Sequence, residues 1–134
     1  MGAQLYMSPS NPPNAPSVRE QSGIRFLEGP PTQELLRKTD DITRIIEACF
    51  SAGTRAALLY APNMTPSFFD LSSGEAGAIL QKLRTYGIRV ALICPPESVR
   101  WSSRFPDLIT EENRLPYFRF FESIEPAREW LIGA

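Results

Sequence analysis

Few side chains in this 134-residue sequence have the type and spacing that chemistry requires. Cys94-Pro95-Pro96-Glu97-Ser98-Val99-Arg100 has the Cys-x5-Arg spacing that cysteine-dependent phosphatases use to wrap backbone amides around a phosphate. That use needs inward N–H donors and tight turns, and here Pro95 and Pro96 have no N–H and no glycine is present. No histidine precedes Cys94 to lower its pKa, so a thiolate would depend on Arg100. The plainer reading is a buried strand that ends at Cys94 and is stopped by two prolines. The sequence has no histidine at all, which excludes histidine triads, histidine-ligated zinc and imidazole bases. Asp40-Asp41 reads as a helix start and Glu111-Glu112 as a solvated face, so neither pair suggests glycosidase chemistry. No Gly-x-Gly-x-x-Gly or Walker-type lysine loop points to a nucleotide.

Two exposed-type segments remain. Ser72-Ser73-Gly74-Glu75 has the spacing of a capping box, in which a serine oxygen accepts from the amide three residues on and Glu75 reaches back to the serine amide. The same hydroxyls at a helix N-terminus would sit beside free amides and the positive end of the macrodipole, where a phosphoryl group is well accommodated. Arg100-Trp101-Ser102-Ser103-Arg104 places an aromatic ring between two guanidinium groups, a composition found at protein interfaces. Trp101 would serve equally to plug the end of a sheet.

The elements that must position these residues are those of one α/β domain. With 43% hydrophobic residues and 14 basic against 15 acidic side chains, the chain suits one core and lacks the charge that duplex DNA or an anionic membrane would attract. The first seventeen residues hold four prolines and no charged side chain, and are expected to be disordered. They lack the basic start and apolar run of a secretory signal, and no later stretch approaches a membrane-spanning length. A cytoplasmic location is therefore expected, with Cys49 and Cys94 as free thiols.

From Val18 onward, strand-like and helix-like apolar patterns alternate. Val18 to Glu20 and Ile24 to Leu27 are expected to form a hairpin, turning through Gln21, Ser22 and Gly23. Thr39 or Asp40 caps a helix whose stripe is Ile42, Ile45, Ile46, Cys49 and Phe50, ended by Gly53. Ala56 to Tyr60 is a central strand covered on both faces. A loop through Pro62, Asn63 and Pro66 leads to a helix from about Ser73 to Tyr86, and then to a strand from Ile88 to Cys94. Pro106 opens a short helix with Leu108 and Ile109 inward and Glu111 and Glu112 outward. Tyr117 to Phe121 is the last strand, followed by a helix containing Ala127, Trp130 and Leu131. The expectation is a small mixed or mostly parallel sheet of four to five strands covered by about four helices.

Residues 68–74, Phe-Phe-Asp-Leu-Ser-Ser-Gly, resemble the signature of STAS domains, the anti-sigma-factor antagonist fold, with Leu71 as an extra residue between Asp70 and the serine pair. A wider similarity, over nearly all of residues 18–132, is to the bacterial family called domain of unknown function forty-one eighty, through the run Phe68 to Lys82, the following strand and the closing helix. The STAS resemblance implies a non-enzymatic regulatory or protein-interaction module, switched by phosphorylation of Ser73 or Ser72 by a partner kinase. Asp70, Gly74 and Glu75 would support the loop, and the partner would be an anti-sigma or kinase-like protein. The surface around Arg100, Trp101 and Arg104 is a further candidate for contact. The competing expectation is a small enzyme or ligand-binding domain that uses the loop ends near Asn63, Ser73 and Cys94. No cofactor or metal is expected.

Overall fold

The computed structural model describes residues 15–133. Most of the proline-rich tail, residues 1–14, lies outside the described residues, and Ser17, read from sequence as its last residue, already opens a strand. In chain order the elements are β1 (Ser17–Gln21), β2 (Ile24–Glu28), α1 (Ile42–Ala52), β3 (Ala56–Tyr60), α2 (Glu75–Tyr86), β4 (Arg89–Ile93), α3 (Phe105–Glu112), β5 (Phe118–Phe121) and α4 (Ile124–Gly133). The five strands make one mixed sheet in the order β1-β2-β3-β4-β5. β1 runs antiparallel to β2, and the remaining pairs are parallel. Gln21 pairs with Ile24, so the hairpin turn is the two residues Ser22 and Gly23, with φ of 54° and 79°. Positive φ at both positions suits the right-handed twist of the strands.

Each parallel step from β2 to β5 moves to the next strand in the same direction. Right-handed crossovers then put every connecting helix on one face. Leu27, Ala57, Leu59, Val90, Leu92 and Phe118 pack on that face with residues of α1, α2 and α3. Phe26, Ala56, Leu58, Ala91 and Ile93 point the other way, against Ala127 and Leu131 of α4. The period of two along each strand thus serves two cores, which explains the unbroken apolar run at β3. The strand is central, as its sequence implies.

Two side chains depart from their expected faces. Phe50 is 45% exposed, because it falls at the margin of the α1 stripe, in the last turn before Gly53. Glu112 is buried, not solvated: its carboxylate accepts from Arg84 Nη1 at 3.0 and 3.2 Å. An arginine one helix away was the missing information.

All four helices lie antiparallel to the strands they follow, so their C-termini gather at the edge where the parallel strands begin. An arginine from that edge meets each one. Arg25 donates to the carbonyl of Ala52 at the end of α1, and Arg55 to that of Tyr86 at the end of α2. Arg119 donates to Asn113, the residue closing α3. Arg89 donates to Trp130 and Leu131 of α4 at 2.9 and 3.2 Å, with its guanidinium 4.3 Å from the centre of the Trp130 ring. These bonds satisfy orphan carbonyls and oppose the negative end of each dipole. Since α4 alone covers its face, Arg89→Ala is expected to destabilise the domain by about 1–3 kcal/mol, through lost charge-assisted hydrogen bonds and cation–π contact. Urea unfolding followed by circular dichroism reads this as a lower midpoint with little change in slope.

Candidate functional site

The loops at the opposite edge, where the parallel strands end, carry every site residue expected from sequence. After β3 the chain descends through three short 3-10 turns, Ala61–Asn63, Pro66–Phe69 and Leu71–Ser73, before α2 begins at Glu75. Asp70 caps the last turn, its carboxylate accepting from the Ser72 amide at 3.1 Å and the Ser72 hydroxyl at 2.8 Å. The Ser73 hydroxyl donates to the carbonyl of Ser67 at 2.7 Å and accepts from the Glu75 amide at 3.1 Å. Ser72, Ser73 and Gly74 are exposed, and Gly74 has φ of 79°, a turn that a side chain would strain.

The capping box expected here does not form. Ser73 accepts from the amide two residues on, and Glu75 turns away to accept a hydrogen bond from the buried Thr65 hydroxyl. The left-handed Gly74 moves the helix start beyond Ser73, so the two serines belong to the preceding turn.

Two loops far apart in sequence meet through Ser102. Its hydroxyl accepts from the Leu71 amide at 3.0 Å, and its own amide donates to the Phe69 carbonyl at 3.0 Å. The serine loop and the Arg100–Arg104 segment therefore form one continuous surface. Trp101 is half-buried and stacks on fully buried Phe105, with ring centres 5.6 Å apart, so it is both anchor and surface. Arg104 is exposed and pairs with Asp107 in the first turn of α3. Exposed Arg100 borders a groove of about 530 Å³ with Pro62, Pro66, Phe69 and Val99.

Asn63 does not open toward this surface, whereas Cys94 borders a cavity of about 270 Å³ with Trp101 and Phe120. Asn63 is fully buried, its oxygen accepting from the Tyr60 amide at 2.7 Å and its nitrogen donating to the carbonyls of Pro30 and Gln33 at 2.6 and 2.8 Å. A Cβ at Gly29 would collide with that amide oxygen, so the glycine is needed for the close approach. Asn63 is a structural pin between two loops, with its side chain spoken for. Cys94 is buried beside Ser98, 3.8 Å away, and burial pushes its thiol up from the ordinary value. Among the described residues, no three side chains of the metal-ligating types lie together.

One polar network escaped the sequence reading. Glu28, at the end of β2, is buried on the α4 side; it accepts from the Tyr60 hydroxyl at 2.9 Å and from Arg128 of α4 at 3.1 Å, with Arg19 of β1 at 3.7 Å. Its only trace in the sequence is an acid closing the strand Ile-Arg-Phe-Leu-Glu. Burial, and then the hydrogen bond to Glu28, push the Tyr60 phenol up to about 12.

The site holds exposed hydroxyls, one of them bonded to the Asp70 carboxylate, together with guanidiniums and one aromatic ring. A family model described as Domain of unknown function (DUF4180) matches residues 21–131. The chain belongs to this family. No curated protein matches it, and no solved structure does. The DUF4180 match spans β2 through α4 and so covers both loops of the joined surface.

Two outcomes follow from these environments. Asn63→Ala leaves a donor and two acceptors without partners and is expected to cost about 2–5 kcal/mol, whereas Ser73→Ala, in an exposed turn, should cost less than about 1 kcal/mol. Chemical denaturation of the two variants side by side checks the contrast. Burial pushes the Cys49 thiol up to about 12 from an ordinary 9.0, and Tyr60 is raised likewise from 10.0. The folded state therefore holds these protons more tightly than the unfolded chain, so their contribution is complete below about pH 9 and is lost as pH rises toward 12. Urea midpoints should fall over that window, and Tyr60→Phe should remove part of the fall.

Proposed function

We propose that this protein is a non-enzymatic regulatory module, STAS-like in fold, that binds a protein partner through the joined surface of residues 67–74 and 100–104. Phosphorylation of Ser73 releases that partner. The observation that carries this reading is the pair of hydrogen bonds through Ser102, which make one exposed surface of the two segments whose composition suggests recognition. The partner is of anti-sigma or kinase-like kind, in keeping with the resemblance of Phe68 to Gly74 to the STAS signature, and the setting is the bacterial cytoplasm.

The two serines are not equivalent acceptors. A phosphoryl group on Ser72 would lie against the Asp70 carboxylate, 2.8 Å from its hydroxyl. On Ser73 it would lie beside the first amide of α2 and give up only a hydrogen bond to the exposed Ser67. The first setting repels a charge of about −2 and the second favours it. Ser73 is therefore the acceptor, and the added charge opposes docking by repulsion and desolvation.

Site-resolved mass spectrometry of the protein isolated from its native host, with and without phosphatase treatment, tests this reading. The expected result is a phosphoryl group on Ser73 and a co-purifying protein that Ser73→Glu releases. Unmodified serines, together with a partner retained equally by Ser73→Glu, would refute it.

A further inference from the structure

The opposite edge, where the parallel strands begin, carries an unexpected combination of groups. Five large apolar side chains are exposed among the described residues: Val18, Ile24, Phe50, Tyr86 and Leu115. Only Val18 lies elsewhere, in β1. Ile24 opens β2, Phe50 closes α1 ahead of β3, Tyr86 closes α2 ahead of β4, and Leu115 precedes β5. Scattered apolar residues need no explanation, but four gathered at one edge do.

Phe50 and Tyr86 touch edge to face, with ring centres 6.2 Å apart, and the Arg55 guanidinium lies 5.6 Å from the centre of the Phe50 ring. Arg55 is held by the Tyr86 carbonyl, and Arg25 by that of Ala52. Gly53 and Gly87 make the left-handed turns that end α1 and α2, and a Cβ on Gly87 would lie 3.0 Å from the Arg55 guanidinium. Helix ends account for part of the charge here. Each C-terminus contributes only about half a negative charge against a full positive charge per guanidinium. Arg25 and Arg55 have no carboxylate within salt-bridge distance among the described residues, and Glu20, opposite Arg25 in the hairpin, is the nearest acid in the strand register.

We infer that this edge is a second docking site, and that its occupant is a protein segment bearing carboxylates next to an apolar anchor residue. The guanidiniums are fixed by backbone carbonyls with N–H groups left over, which suits directional pairing with carboxylates. The aromatic pair supplies the apolar contact, and Arg, Tyr and Phe are enriched at such interfaces. A formal net charge of −1 disfavours an extended polyanion such as a nucleic acid, whereas a short acidic segment meets only the patch. Because this edge lies at the far end of the strands from Ser73, the module could hold two partners at once.

Selection of random dodecapeptides displayed on phage against the full chain tests the inference, with the enriched peptides then titrated into isotope-labelled protein. Enriched sequences are expected to combine acidic residues with an aromatic or aliphatic one and to shift the amides of Phe50, Arg55 and Tyr86. Phe50→Ser and Arg55→Gln should each weaken binding at least tenfold with circular dichroism unchanged, Arg55→Lys should restore it in part, and Ser73→Glu should leave it unaltered. No enrichment, enrichment without acidic residues, or shifts confined to residues 67–74 would overturn the proposal. Tighter binding of the same edge to a dodecamer of thymidylate or to phosphatidylglycerol vesicles would overturn it in favour of a nucleic acid or a membrane.

Discussion

The handedness of the strand–helix–strand connection is the constraint on which the rest of this structure depends. Because β2, β3, β4 and β5 are laid down in sequence order, right-handed crossovers leave no choice of face for α1, α2 and α3. One face of the sheet receives three helices, and the other must be closed by the single helix that remains. That helix is short, and its buried contacts include Ala127 and Leu131. Polar bonds at both ends supplement its apolar burial: Arg128 reaches Glu28 near its start, and Arg89 holds the carbonyls at its finish. An ion pair as sheltered as Arg128–Glu28 stabilises little in net terms, since desolvation offsets attraction, but it fixes where the helix sits.

The same winding aligns all four helices. Their N-termini share one edge of the sheet and their C-termini the other, so the dipoles add instead of cancelling. The sequence answers with an acid at each beginning, namely Asp41, Glu75, Asp107 and Glu125, and an arginine at each end. Winding in one direction also removes any reversal of strand order, the switch point at which open α/β sheets commonly hold small ligands. The loop ends are joined into one surface by the hydrogen bonds through Ser102, with the groove beside Arg100 along it.

Much of this was legible in sequence because it is local. The unbroken apolar run at Ala56–Tyr60, the stripe Ile42, Ile45, Ile46 and Cys49, and the glycines at 53 and 87 each encode their element within a few residues. What was not legible depends on residues brought together from a distance. Glu112 looks solvated until Arg84 of another helix arrives, and Asn63 looks like an exposed loop amide until Gly29, Pro30 and Gln33 close over it. The capping box failed for a local reason, the left-handed Gly74, and for a distant one, the hydroxyl of Thr65 that claims Glu75. The serine loop and the tryptophan loop could each be noticed alone, but no periodicity could reveal that Ser102 joins them.

The alignment of the helices also bears on how a charge at Ser73 would act. The first amide of α2 would favour a phosphoryl group on Ser73, an effect weakened by exposure to water. The turn itself has separate supports, since Asp70 holds the Ser72 amide and Ser102 holds both Leu71 and Phe69. Modification would remove one hydrogen bond, from Ser73 to Ser67, and leave these others in place. A phosphoryl group would therefore change the sign and hydration of the surface far more than its shape. The proposed switch would then act on the partner by the electrostatics of the contact, with no rearrangement of the fold.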